Sequence, residues 1–414
     1  MSKIDLLIHN SSKLITLAGS DRPRVGKEMG DLAVIENGAV AVNKGKIVET
    51  GSSYELLKKY SDAKEIIDAN DKLVMPGFVD CHTHLVFGGS RDYELGMKLA
   101  GATYIDILKA GGGIHSTVEA TRKATKSELT RIAKERLDTI VQHGTTTIEL
   151  KTGYGLDYDT EKKLLEVAKN LSDETDVEIV STFLGAHTIP KGIDRNDYIN
   201  WIVEEAIPEF KNLAEFCDIF TEDGAFTYDE TERILSTAKD YGYKLKIHAG
   251  QFNDLKAAGL AAELGAYSAD HLEAVSKDQL DTMKMHNTVA VLMPGVNFFL
   301  MANDYADARE MISNGNPVAL ATDFNPGSSP SFSMQMMIAL GCYQLKMSPE
   351  EVITASTINA AHTIDRATVA GSLEPGKRAD ILIMKIKKPA EIPYYFGGNL
   401  VEDVILAGKK YFKK

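Results

Sequence analysis

From residue 78 to residue 323 the sequence repeats one pattern: a short apolar run rich in β-branched residues, a polar loop, then a stretch of helical period. After a first run at 78–85, further runs stand at 145–150, 177–184, 216–221, 243–247, 266–270, 288–293 and 317–322. Helical segments separate most of them. At 127–142, Leu129, Ile132, Ala133, Leu137, Ile140 and Val141 share one face, and Gly144 follows the end. Thr227-Tyr228-Asp229-Glu230 reads as a capping box, and Ser348-Pro349-Glu350-Glu351 opens a late helix with proline at its favoured first position. Alternating strands and helices imply a parallel sheet, because each helix returns the chain to the start of the next strand. Eight such units predict a closed (β/α)8 TIM-type barrel. The alternative, an open doubly wound sheet, would want Gly-x-Gly-x-x-Gly at its first turn, and none is there.

The chain ends read differently. Short strands are expected at 4–9, 14–17, 32–36, 39–42 and 46–50, with hairpin turns at Glu36-Asn37-Gly38-Ala39 and Val42-Asn43-Lys44-Gly45, where Asn and Gly tolerate positive φ. The tail from Gly371 returns to β character, with a strand through Ile381-Leu382-Ile383 and a hairpin about Ala407-Gly408-Lys409. The simplest arrangement joins both ends in a small β-sandwich domain: residues 1–75, a barrel at 76–365, and 366–414 completing the sandwich.

Composition removes several function classes. A net charge of −13 with no dense Lys/Arg cluster argues against nucleic-acid binding. The apolar run 289–301 is broken by Pro294, Gly295 and Asn297, so no membrane span is expected. Cys81, Cys217 and Cys342 are too few and too scattered for a disulfide framework. With no signal-peptide pattern in the first residues, a cytoplasmic protein is expected.

The chemistry lies where strands end. Active sites of barrels sit at the C-terminal ends of the strands. His82 and His84 fall there on the first strand, His187 on the third, His248 on the fifth, His271 on the sixth and Asp323 on the eighth. Residues i and i+2 of an extended segment share a face, so His82 and His84 can reach one ion. His82, His84, His248 and Asp323 make a sensible mononuclear set that leaves a place for water, whose pKa a bound cation lowers towards ~7. The fourth strand ends in Thr221-Glu222 without the lysine that a bridged pair of metals usually needs. One metal is therefore expected, with Glu222 keeping a second open. Lys151, on the second strand, reads as structural or substrate-facing.

These residues, with Pro76-Gly77-Phe78-Val79-Asp80 ahead of the histidine pair, resemble the amidohydrolase superfamily. A narrower resemblance spans nearly the whole chain: His82 through Arg91, Gly111-Gly112-Gly113-Ile114, Lys151-Thr152-Gly153-Tyr154-Gly155-Leu156, Leu184-Gly185-Ala186-His187, and Ala321-Thr322-Asp323-Phe324-Asn325-Pro326-Gly327-Ser328. It is similar to the branch that opens the ring of 4-imidazolone-5-propanoate to give N-formimidoyl-L-glutamate. The resemblance implies one zinc or iron ion per subunit, a homodimer, and a substrate pocket containing Arg91, Tyr104, Tyr154, His187, Asn325, Gly327 and Ser328. Arg91 suits the propanoate, since a guanidinium binds carboxylate with two parallel bonds. Asn325 and Ser328 also read as turn residues. Asp323 is expected to move the water proton to the leaving nitrogen, and His271 to stabilise the oxyanion. Most members carry a glutamate three residues after the strand-five histidine; here Gln251 stands, which can hydrogen-bond substrate but cannot accept a full proton. Either Asp323 then carries the base role alone, which the intact pocket motifs favour, or the substrate differs from that of the resembled branch. The glycine triplet reads either as a mobile lid or as an ordinary turn. Two other readings remain: a deaminase of a cyclic amidine, and a metal-free binding scaffold.

Overall fold

A computed structural model describes residues 4–19, 21–102, 106–107 and 110–412. Tyr104 lies outside the described residues. The N-terminal region supplies β1 (Leu6–Ile15), β2 (Val34–Glu36), β3 (Gly38–Asn43), β4 (Lys46–Ser52) and β5 (Glu65–Pro76). The middle supplies β6 (Phe78–Asp80), β7 (Thr145–Lys151), β8 (Glu178–Ala186), β9 (Phe216–Thr221), β10 (Lys244–Ala249), β11 (Ser268–His271), β12 (Val289–Leu292) and β13 (Val318–Leu320). The tail adds β14 (Ile381–Met384), β15 (Val401–Leu406) and β16 (Lys409–Lys410).

Strands β6 to β13 pair in sequence order, every pair parallel. The sheet closes just past its first and last strands, where Thr83 bridges Phe324 and the His84 amide donates to the Phe324 carbonyl at 2.9 Å. Asp80 strengthens the same seam by accepting from the amide and the hydroxyl of Thr322, at 3.0 and 2.6 Å. This is the expected (β/α)8 barrel, and its seam runs between His82/His84 and Asp323.

Barrel strands alternate inward and outward side chains. Val79, Cys81, Val180, Phe216, Val291 and Ala319 form one apolar cluster with Ala360, Ala361 and Ile364 of the late helical segment. Above it the interior is ionic. Lys246 on β10 reaches across to the Cys81 carbonyl at 2.7 Å and to Glu149 on β7 at 2.8 Å. Helices such as Lys126–Gln142 and Tyr158–Glu174 bury their apolar faces on the outside, Leu129, Ala133, Leu137 and Ile140 among them. The expected capping box forms at Thr227, and the late helix opens at Ser348, where a capping box forms as well.

Both chain ends build one mixed sheet in the order β16-β15-β14-β5-β1-β3-β4, with β2 on β1. Its two ends approach each other: the Gly45 turn carbonyl accepts from the Ala379 amide at 2.9 Å, and Lys46 bridges Arg378. Lys44 and Gly45 take φ of +49° and +73°, as a tight hairpin turn requires. Two differences from the sequence reading have local causes. The strands expected at 4–9 and 14–17 are one strand, because Asn10 at φ +59° introduces a bulge that bends the chain without leaving the sheet. β5 was hidden by Asp68-Ala69-Asn70-Asp71, which resembles a loop; Asn70 and Asp71 adopt φ of +51° and +58° inside the strand. No helix among the described residues is long and apolar enough to cross a membrane.

Gly77 joins the sheet to the barrel. Its amide donates to Asp380 at 3.0 Å, and a Cβ placed on it would lie 2.8 Å from the Thr146 Cβ, with the Thr146 hydroxyl and methyl closer still. Gly77→Ala is expected to cost about 1–3 kcal/mol by overpacking, read as a lower denaturant midpoint with an unchanged slope.

Candidate metal centre

The expected side chains converge at the C-terminal mouth of the barrel. His82 and His84 follow β6, His248 lies near the end of β10, His271 ends β11, and Asp323 follows β13. His187 stands one residue past β8. Two of these positions are strained: His271 has φ +83° and Asp323 φ +48°. Such conformations cost of order 1–3 kcal/mol each and persist only where the surroundings enforce them. Here the Leu272 amide holds the Ala249 carbonyl at 3.1 Å, and Asn325 donates to the Asp323 carbonyl at 2.7 Å.

Two triads have ligand atoms within 4.8 Å of one another: His82, His84 and Asp323, and His82, His248 and His271. They share His82, so together they surround one point. His82 and His84 each bring Nε2 to Asp323 Oδ1, at 3.5 and 3.4 Å. The His82 and His248 rings are 4.4 Å apart. The site is fully buried, and burial holds His82 and His84 below the usual imidazole range and His271 at about 3. Neutral rings present lone pairs. The Nε2 atoms of His82 and His248 are buried without a hydrogen-bond partner. A divalent cation answers both observations, and imidazole and carboxylate donors suit zinc and iron alike.

The ring orientations are set from behind. His82 Nδ1 donates to Asp270 Oδ2 at 2.6 Å, and His248 Nδ1 donates to Asp218 Oδ1 at 3.2 Å. Each proton fixed on Nδ1 leaves the Nε2 lone pair facing the centre. Lys151 Nζ holds Asp218 Oδ2 at 2.6 Å and Glu149 Oε1 at 3.0 Å. Lys246 holds the other oxygen of Glu149, and Ser268 donates to Asp270 Oδ1 at 2.6 Å. Burial alone would depress the Lys151 pKa, but Asp218, Glu149 and Asp270 outweigh it and raise it. Burial would likewise raise Asp218; His248 and Lys151 reverse this and hold it well below its usual value. Lys151 is thus a buried structural cation, one of the two roles the sequence left open. Glu149, Asp218, Lys246 and Asp270 escaped the sequence reading. The available signal was a charge inside each run expected to be a buried strand.

Over the centre lies a cavity of about 810 Å³ lined by His84, Arg91, Tyr154, His187, Gln251, His271, Asp323, Asn325, Gly327 and Ser328, among others. The Tyr154 ring is buried, and burial pushes its hydroxyl pKa up. His187 Nδ1 donates to the Gly153 carbonyl at 3.0 Å, and burial keeps the ring neutral, so Nε2 is an acceptor. Asn325 closes its own loop: its Oδ1 accepts from the amides of Gly327 and Ser328 at 2.8 Å each, and its amide nitrogen donates to the Ser328 hydroxyl at 2.8 Å. Ser328 Oγ lies 3.4 Å from Asp323 Oδ2. Glu222 takes Phe252 N at 2.9 Å, Asn253 N at 3.2 Å and Asn253 Nδ2 at 2.8 Å. Its oxygens brace the loop carrying Gln251 and join neither ligand triad.

A barrel with this His/Asp cluster at its mouth defines a metal-dependent hydrolase of the amidohydrolase type. The Amidohydrolase family profile matches residues 73–410. The chain is 49% identical over 412 residues to the imidazolonepropionase of Geobacillus thermodenitrificans, covering 98% of this chain and 97% of that one. It is 48% identical to the imidazolonepropionase of Alkaliphilus oremlandii, covering 99% of each. The chain belongs to the amidohydrolase family and, within it, to the imidazolonepropionases. Solved structures share the fold at lower identity. They include a 5-methylcytosine deaminase from Klebsiella pneumoniae (TM-score 0.73, 14% identity, 99% of this chain and 98% of that one). Another is a zinc-bound adenosine deaminase from Xanthomonas campestris (TM-score 0.71, 18% identity, 99% and 93%).

Asp218→Asn removes the carboxylate that fixes the His248 tautomer. Metal affinity is expected to fall about 10–100-fold, measured by chelator competition with metal analysis of the protein.

Proposed function

We propose that the chain hydrolyses the ring amide of 4-imidazolone-5-propanoate to N-formimidoyl-L-glutamate, using one zinc or iron ion per subunit held by His82, His84, His248 and Asp323. The observation that carries this reading is the placement of a carboxylate-binding guanidinium, Arg91, in the same cavity as the His/Asp cluster. The near full-length relatives named imidazolonepropionase support it.

A bound ion supplies Lewis acidity and lowers the pKa of a water towards ~7. The protein's own groups do the rest. Burial would raise the Asp323 pKa, but the hydrogen bond with His84 and the surrounding imidazoles lower it, so the carboxylate is ionised and ready to accept a proton. Asp323 takes one proton from the water as the water oxygen bonds to the ring carbonyl carbon, and returns that proton to the ring nitrogen as the amide C–N bond breaks. His271, neutral at this pH, donates an N–H to the developing oxyanion. His187 Nε2 accepts a ring N–H, and the Tyr154 hydroxyl, kept protonated, serves as a donor. Gln251 hydrogen-bonds the ring, which leaves Asp323 as the base. Arg91 takes the propanoate. The homodimer implied by the resemblance and the cytoplasmic location expected from the sequence belong to the same proposal, and sedimentation tests the first.

Turnover of imidazolonepropanoate, with metal content measured on the same sample, tests the reading. Cytosine and guanine as parallel substrates separate it from a deaminase, for which Arg91 has no use. His271→Asn is expected to lower turnover about 10²–10³-fold with metal retained; loss of metal together with turnover would instead make His271 a ligand. Gly327→Ala tests the anion subsite. A Cβ there would lie 2.7 Å from the Arg91 Cζ, so the guanidinium must move and KM should rise, by about tenfold for one weakened charged contact.

A further inference from the structure

We propose that Lys98, not Arg91 alone, gives the cavity its preference for a substrate bearing a carboxylate. The inference rests on the reading above, in which the ring substrate carries a propanoate. Arg91 is already committed on one edge: Nε donates to Glu94 Oε1 at 2.8 Å and Nη2 to Glu94 Oε2 at 2.9 Å. Glu94 is 1% exposed and also accepts from the Gly113 amide at 2.7 Å. Burial would raise its pKa, but Arg91 and the amide prevail and lower it, so the carboxylate remains ionised. Arg91 and Glu94 therefore form an electrically neutral unit. It offers the fork geometry that a carboxylate needs but no net charge to attract one.

Lys98 supplies that charge. It lies near the end of the helix Asp92–Leu99, one turn beyond Glu94 and two beyond Arg91, and it lines the same cavity. Its Nζ donates to the Gly327 carbonyl at 3.1 Å and stands 5.1 Å from the Phe299 ring centroid. Gly327 is also the residue whose missing side chain makes room for the Arg91 guanidinium. Both cations thus meet at Gly327, Lys98 on its carbonyl oxygen and Arg91 against its α-carbon. The acidic group acting on Lys98 among the described residues is Glu94, which Arg91 already neutralises. An ammonium has three N–H groups, and the carbonyl takes one. The three side chains sum to one positive charge, which one carboxylate balances. Glu94 further ties this patch to the glycine triplet through Gly113, so the loop, Arg91 and Lys98 form one wall.

The test uses full-length enzyme and an inert probe, 3-(imidazol-4-yl)propanoate, beside its primary amide, with affinities measured by calorimetry. Wild type should favour the carboxylate. Lys98→Met and Lys98→Gln should each reduce the carboxylate-to-amide preference about tenfold to a hundredfold, as expected for one hydrogen bond to a charged group. Lys98→Arg should retain most of it. An unaltered ratio in both neutral variants, or no preference in wild type, overturns the proposal. Wild-type turnover of imidazolonepropanoate is measured alongside. Its absence would remove the proposed reaction, while the binding ratio would still decide the role of Lys98.

Discussion

The buried salt-bridge network inside the barrel is the interaction on which the site depends. Lys151 and Lys246 pair with Glu149, Asp218 and Asp270 in a region closed to water. Removing charges from water is costly, and an unpaired member of such a group typically costs 3–5 kcal/mol. What the network provides is direction: two of its carboxylates hold the Nδ1 protons of His82 and His248, and so aim two lone pairs at one point.

The same economy of parts marks the seam of the barrel. Thr83 and Phe324 close the sheet, and the residues beside them are His82, His84 and Asp323. Closure and ligand assembly are therefore one event: the eighth strand must return to the first before Asp323 can meet the histidine pair. Asp80 fastens the seam through Thr322, one residue before Asp323. The loop that follows is held by its own Asn325, which leaves Gly327 bare where Arg91 and Lys98 converge.

The barrel, its strand-end histidines and Asp323 were legible because each rests on local signals: apolar runs of strand length, helical periodicity, and polar residues at run ends. The union of the two chain ends in one β unit was legible in outline, but β5 was not, since Asn70 and Asp71 look like a loop unless a partner strand holds them. The buried charges Glu149, Asp218, Lys246 and Asp270 showed only as charges inside runs of buried-strand character, which by itself assigns no role. Glu94 and Lys98 gave no such sign, because they lie on a short helix most of whose other positions are exposed.

The sequence by itself determined the order of elements and the identity of the groups at the strand ends, because period, turn chemistry and residue type act over a few neighbours. Tertiary structure alone decided which nitrogen of each imidazole carries its proton and that Lys98 faces the cavity beside Arg91. Those outcomes depend on partners far away in the chain, such as Asp270 for His82 and Gly327 for Lys98, which only folding brings within hydrogen-bond reach.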